Sequence, residues 1–193
     1  NLKIVGLGLN EAAVQYITSK VIGIERDFVK YFGVSFRTIS PSYYPIECNL
    51  IEQMAYLTGE TVLFDSTFTS NDKFKNAFIE LTSSKTYSEV ESLVDEILEL
   101  EENIIKLNNK SASYDERNSK VDKLASKIDS YKEKIATQYI KAQNLIIKGY
   151  FDKAFKNISN LEELDNYRRK LEHFREYIGY TDDYTFYDDY YTE

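Results

Sequence analysis

Cys48 and His173 are the only residues of their kinds in a chain of 193 residues. Any thiolate–imidazole nucleophile would have to be built from these two. Cys48 falls at the start of a predicted helix, where the helix dipole can lower a thiol pKa. His173 stands beside Phe174 with Arg169, Lys170 and Arg175 close by, which reads as a solvated cationic face. Neither a group to orient the imidazole nor an oxyanion donor is apparent. Cys48 is therefore expected to be a small buried hydrophobe, and no residue is assigned a catalytic role.

Metal chemistry has as little to build on, because one His and one Cys cannot furnish a zinc site within a chain. Asp182-Asp183 and Asp188-Asp189 lack the glycine-containing twelve-residue loop of a calcium hand. Neither metal nor cofactor is expected. Gly6-Leu7-Gly8 has the opening spacing of a dinucleotide fingerprint, but Glu11 stands where the third glycine belongs, so a plain strand-to-helix turn is expected. Gly149-x-Phe151-x-x-Ala154 resembles the inter-helix turn of a tetratricopeptide repeat over about a dozen residues; no second copy follows. It reads as a helix-packing device and implies no function.

The elements that position these residues are dominated by two heptad runs. The first carries Val90, Leu93, Ile97, Leu100, Ile104 and Leu107. The second carries Val121, Leu124, Ile128, Tyr131 and Ile135, then Gln138, Ala142 and Leu145 in the same register. Alternating three- and four-residue steps make the seam of a coiled coil. The first run is acidic (Glu89, Glu91, Asp95, Glu96, Glu99, Glu101, Glu102 against Lys106). The second is basic (Arg117, Lys120, Lys123, Lys127, Lys132, Lys134, Lys141, Lys148 against Asp122, Asp129, Glu133). Folding one run back on the other joins opposite signs, so an antiparallel hairpin is expected. Its layers pair Ile104 with Leu124 and Ile97 with Tyr131, and its flanks set Glu96 near Lys134 and Glu89 near Lys141. Thr86-x-x-Glu89 and Ser113-x-x-Glu116 have the form of capping boxes, with a loop at Asn108-Asn109-Lys110-Ser111. At ~1.5 Å per residue, the second helix (117–148) spans roughly 48 Å and the first roughly 33 Å.

Before the hairpin, Leu2–Val5 is β-capable. A helix capped by Asn10 carries Val14, Ile17, Val21, Ile24, Phe28 and Tyr31 and stops at Gly33. Val34–Ile39 reads as a strand, residues 47–57 as a helix stopped by Gly59, and Thr61–Phe64 as a strand. Ser70-Asn71-Asp72 caps a helix with Phe74, Phe78 and Leu81. After it, Gly149 is expected to break the second helix. Ser159-x-x-Glu162 then caps a last helix with Leu161, Leu164, Tyr167, Leu171, Phe174 and Ile178. The expected fold is mainly α. It comprises an N-terminal helical region with one or two short strand pairs (1–84), an antiparallel coiled-coil hairpin arm (85–148), C-terminal helices on the base (149–179), and an acidic Tyr-rich tail (180–193).

Composition narrows the function classes. A net charge of −8 argues against duplex nucleic acid, which needs a clustered positive surface. One cysteine excludes an intrachain disulfide framework. No signal peptide or transmembrane segment is seen, so a soluble protein of the cytoplasm or of a virion is expected. The chain opens on Asn1 and its sole Met is Met54. It is expected to be a processed product, or a chain whose first residues precede this numbering. Heavy use of Asn, Lys, Ile and Tyr matches an AT-rich genome. The expected function is a non-catalytic structural or assembly protein binding other chains, within a large homo- or hetero-oligomeric assembly such as a tailed-phage particle. A second reading is a regulatory binder whose acidic tail occupies a basic groove; a third is an enzyme using Cys48. In the tail, Tyr184, Phe186, Tyr187, Tyr190 and Tyr191 are the expected protein-binding anchors. Their acidic neighbours are expected to keep that segment disordered on its own.

Overall fold

The computed structural model describes residues 4–114 and 119–193. It is mainly helical: α1 (Leu7–Ile22), α2 (Pro45–Thr58), α3 (Glu60–Phe68), α4 (Lys73–Leu81), α5 (Ser84–Ala112), α6 (Ser119–Lys156), α7 (Leu161–Phe174) and α8 (Phe186–Thr192), with one hairpin of β1 (Asp27–Tyr31) and β2 (Val34–Thr38). The antiparallel pair α5–α6 forms the arm, and everything else packs around its lower half.

The arm follows from its periodicity. Val90, Leu93, Ile97, Leu100 and Ile104 of α5 are buried, as are Ile128, Ile135 and Ala142 of α6. The expected register is visible in Lys134, whose Nζ lies 3.3 Å from Glu96 Oε1. Glu89, in contrast, pairs with Lys85 one turn earlier at 3.9 Å rather than with Lys141. Past Ile104 on α5, and before Ile128 on α6, no described residue of the pair is buried. The distal arm therefore stands clear of the core. Asn108–Ser111 is helical rather than a loop, continuing α5 to Ala112. The helices have 29 and 38 residues, about 43 and 57 Å. Ser113 is instead the C-cap of α5, its Oγ donating to the Lys110 carbonyl at 2.6 Å, while Glu116 of the expected capping box lies outside the described residues.

Two glycines set how closely helices approach. Gly149 does not break α6. A Cβ there would sit 2.7 Å from the Thr86 side chain, so the glycine lets α6 pass the start of α5. Gly8 lies under Val94, where a Cβ would meet Val94 Cγ1 at 2.7 Å and its carbonyl oxygen at 2.9 Å. Beside it, the amides of Gly6 and Gly8 donate to the Asp95 carboxylate at 2.8 and 2.9 Å. Asp95 thus satisfies, from another helix, amides that the start of α1 leaves unpaired. Gly6-Leu7-Gly8 is a close-packing device, α1 begins at Leu7 rather than after Asn10, and Ile4 and Val5 are exposed and form no strand.

Four further expectations are corrected. The first helix stops at Ile22, where left-handed Gly23 closes it with bonds to Lys20 and Ser19. Phe28 and Tyr31 then belong to β1, and Gly33 is the second residue of a two-residue hairpin turn with Phe32 (φ 52° and 81°); positive φ at both positions suits the strand twist. Thr61–Phe64 lies within α3, since Leu63 buries against the core and Tyr16 Oη holds Glu60 at 2.9 Å. Caps shift by one to three residues: Ser83 Oγ accepts from the Thr86 amide, and Asn160 Oδ1 from that of Glu163. Finally, Leu161 is 83% exposed, and α7 ends at Phe174 so that Ile178 is buried outside it.

At the centre lies α2. It is buried on every side, twelve of its residues being covered, so its polar residues as well as its apolar ones lie inside the fold. Its four buried polar residues each meet a partner from far along the chain. Asn49 Oδ1 accepts from Tyr139 Oη at 2.5 Å and its amide donates to the Arg37 and Tyr177 carbonyls. Gln53 Nε2 donates to Gln143 Oε1 at 2.9 Å. Glu52 accepts from Arg26 Nε at 2.9 Å and from the Ile39 amide. Glu47 meets Glu101 of the arm.

Candidate functional site

The outer face of α5 carries a groove of about 840 Å³. Its α5 lining runs from Ser88 to Lys106 and reaches round the helix to Glu96, which flanks the seam and pairs with Lys134. Glu91, Asp95, Glu99 and Glu102 make it acidic, against Lys106, and the exposed Ile4 and Val5 form one wall. The facing helix α6 is its opposite in sign. Lys120, Lys127, Lys134, Lys141 and Lys148 recur every seven residues, a rib of about 42 Å on a helix rising ~1.5 Å per residue that flanks the seam, with Lys134 paired to Glu96. Lys141 and Lys148 flank a shallow groove of about 330 Å³ with Ile140 and Leu145 on its floor. Only the strict period of these lysines, not their presence, escapes a reading for charge alone.

Under the arm lies a buried acid pair. Glu47 is fully buried in the first turn of α2, and both its oxygens and Oε1 of Glu101 have no donor from the surrounding protein. Burial, then the hydrogen bond to Glu101 and its charge, push the Glu47 carboxyl well up. Burial also raises Glu101, against bonds from Glu47 and from Tyr31 Oη, which donates at 2.8 Å. One proton shared between the two carboxyls supplies the missing donor. Tyr44, Glu11 and Glu102 stand nearby in the same field. No sequence pattern marks this pair, since its members lie on different helices.

Cys48 is fully buried, and burial followed by the charge of Glu52 raises its thiol well above the usual range, with Thr38 opposing. Such a thiol is a poor nucleophile at neutral pH. His173 is exposed on α7, and no hydrogen bond joins it to Cys48 among the described residues. Among those residues no group of three or more His, Cys, Asp or Glu could hold a metal ion. No helix among them is long and apolar enough to cross a membrane.

The tail folds back on its own base, contrary to the expected disorder. Tyr180 exchanges two hydrogen bonds of 2.8 Å with Ser35 beside β2. Tyr187 is fully buried and its hydroxyl donates to the Leu171 carbonyl. Arg175 pairs with Asp188 at 2.9 Å and lies over the rings of Tyr187 and Tyr191. It cancels charge where repulsion alone would loosen the segment. Tyr184 donates to Asn144 at 2.9 Å, and Tyr190 to Asp152. Tyr184, Phe186, Tyr190 and Tyr191 remain half-buried.

Comparison of the chain with known protein families, with curated proteins and with solved structures finds no match.

Proposed function

We propose that this chain is a non-catalytic assembly protein that binds other protein chains through its hairpin arm. The observation that supports this reading most is the arm itself. Its distal end, past Ile104 on α5 and before Ile128 on α6, is free of the core, and its two helices are opposite in charge, with apolar side chains set among the charges. Exposed apolar residues rimmed by charge are the composition of an interaction surface. The half-buried aromatics Tyr184, Phe186, Tyr190 and Tyr191 provide a second contact patch at the base.

Native mass spectrometry of the chain purified gently from its source tests the reading. The account expects masses above the 22.6 kDa of one chain. It expects these to be lost when Glu99, Glu102, Lys141 and Lys148 are all charge-reversed. A wild-type chain recovered only alone, or a reversed chain that keeps its partners, overturns it.

A further inference from the structure

The acidic groove of α5 and the exposed lysines of α6 are opposite in sign. The acids run from Glu91 to Glu102, about 17 Å, and Lys141 and Lys148 stand about 10 Å apart, at ~1.5 Å per residue. Both faces carry unspent apolar surface: Ile4 and Val5, 68% and 75% exposed, beside the one, and half-buried Ile140 and Leu145 on the other. Within one chain Lys134 of the rib already reaches Glu96 of α5 at 3.3 Å, while Lys141 and Lys148, further along α6, stay exposed and are left to meet an acidic groove elsewhere. A second copy supplies that groove.

We infer that the acidic α5 face of one copy receives the basic α6 face of another, so that arms stack side by side. This rests on the arm being the protein-binding device and names its partner as this same chain. The contact is heterologous. Each copy in a pair keeps one unused face of each kind, and stacking continues into a row or closes as a ring. Charge selects the orientation, and burial of the apolar residues beneath the charges holds it. Exposed ion pairs are screened beyond a Debye length of roughly 10 Å at ordinary salt, so stacking is strongest at low ionic strength.

Sedimentation velocity of the purified full chain, with two complementary variants, tests the inference. One variant carries Glu99→Lys with Glu102→Lys, the other Lys141→Glu with Lys148→Glu; all four positions are exposed. Wild type is expected to grow in mass with concentration at about 20 mM salt and to return to a single chain at about 500 mM. Each variant alone stays a single chain. In their mixture the intact basic face of one variant meets the intact acidic face of the other, so association returns. If reversal unfolds a variant, Glu102→Gln and Lys141→Gln replace it, with association weakened several-fold in each. Wild type that stays single at low salt, variants that associate as wild type does, or a mixture that stays single would overturn the inference. Were wild type single while native complexes still depended on the arm, only the self-stacking would fall and the wider reading would stand.

Discussion

Tyr139 on α6 donates its hydroxyl proton to Asn49 on α2 at 2.5 Å, and both side chains are fully buried. The bond ties the arm to the central helix, ninety residues away in the chain. Gln143, one turn further on, closes the same network. Its Nε2 donates to the Gly179 carbonyl at 3.0 Å, and its Oε1 accepts from the Gly179 amide at 2.8 Å.

Tyr139→Phe should therefore destabilise the fold by about 1 kcal/mol, since it removes one of the two donors, with Gln53 Nε2, to the buried Asn49 oxygen. Gly179→Ala should cost about as much or more. A Cβ there would overlap the Tyr139 hydroxyl, and overpacking of this kind costs ~1–3 kcal/mol. Urea denaturation of the two variants checks both, and an unchanged midpoint in either contradicts the network.

The acid pair sets a pH dependence of definite sign. Both Glu47 and Glu101 are raised in the folded chain, so the folded state holds a proton that the unfolded state has released. That contribution is complete below the ordinary carboxylate range and is lost as pH rises through the raised values. Tm should fall from mildly acid toward alkaline pH. Glu47→Gln should flatten this trend and gain about 1–3 kcal/mol at the alkaline end, by removing an unpaired buried charge. Thermal scans across pH decide it, and parallel profiles for wild type and variant would exclude the shared proton.

Truncation after Gly179 should destabilise the monomer by at least about 2 kcal/mol, the worth of burying one large aromatic side chain. Tyr187 is fully buried and Arg175 loses its partner Asp188. An unchanged melting temperature would show that the tail adds nothing to its own base.

Cys48 should resist thiol reagents in the native state and react on unfolding, because it is fully buried with a raised pKa. Rapid native labelling would place it at the surface and revive a nucleophilic role.

What could be read in advance was what is local. The arm was legible because its apolar stripe repeats within each helix, and the Glu96–Lys134 pair followed from that register. The strand β1 was missed because Val21, Ile24, Phe28 and Tyr31 continue a helical spacing across Gly23, the breaker that in fact ends α1. The roles of Asp95, Gln143 and Glu101 were not legible at all. Asp95 caps a helix 87 residues earlier, and no spacing rule reaches that far. The same distance hides the partners of Asn49 and Gln53, although polar residues inside so apolar a helix already marked it as a place where partners must be found. The tail was misjudged for a related reason: its acids were visible, but Arg175, which neutralises one of them, lies outside it.

Zero-length carbodiimide cross-linking of the native assembly, read by peptide mass spectrometry, tests the central claim most directly. It joins lysines to carboxylates already in salt-bridge contact, and the Lys134–Glu96 pair at 3.3 Å supplies an intrachain reference. The account predicts that Lys141 and Lys148 are linked to acids of another chain. Lys141 and Lys148 left unlinked, or linked only within their own chain while the reference link forms, would contradict it.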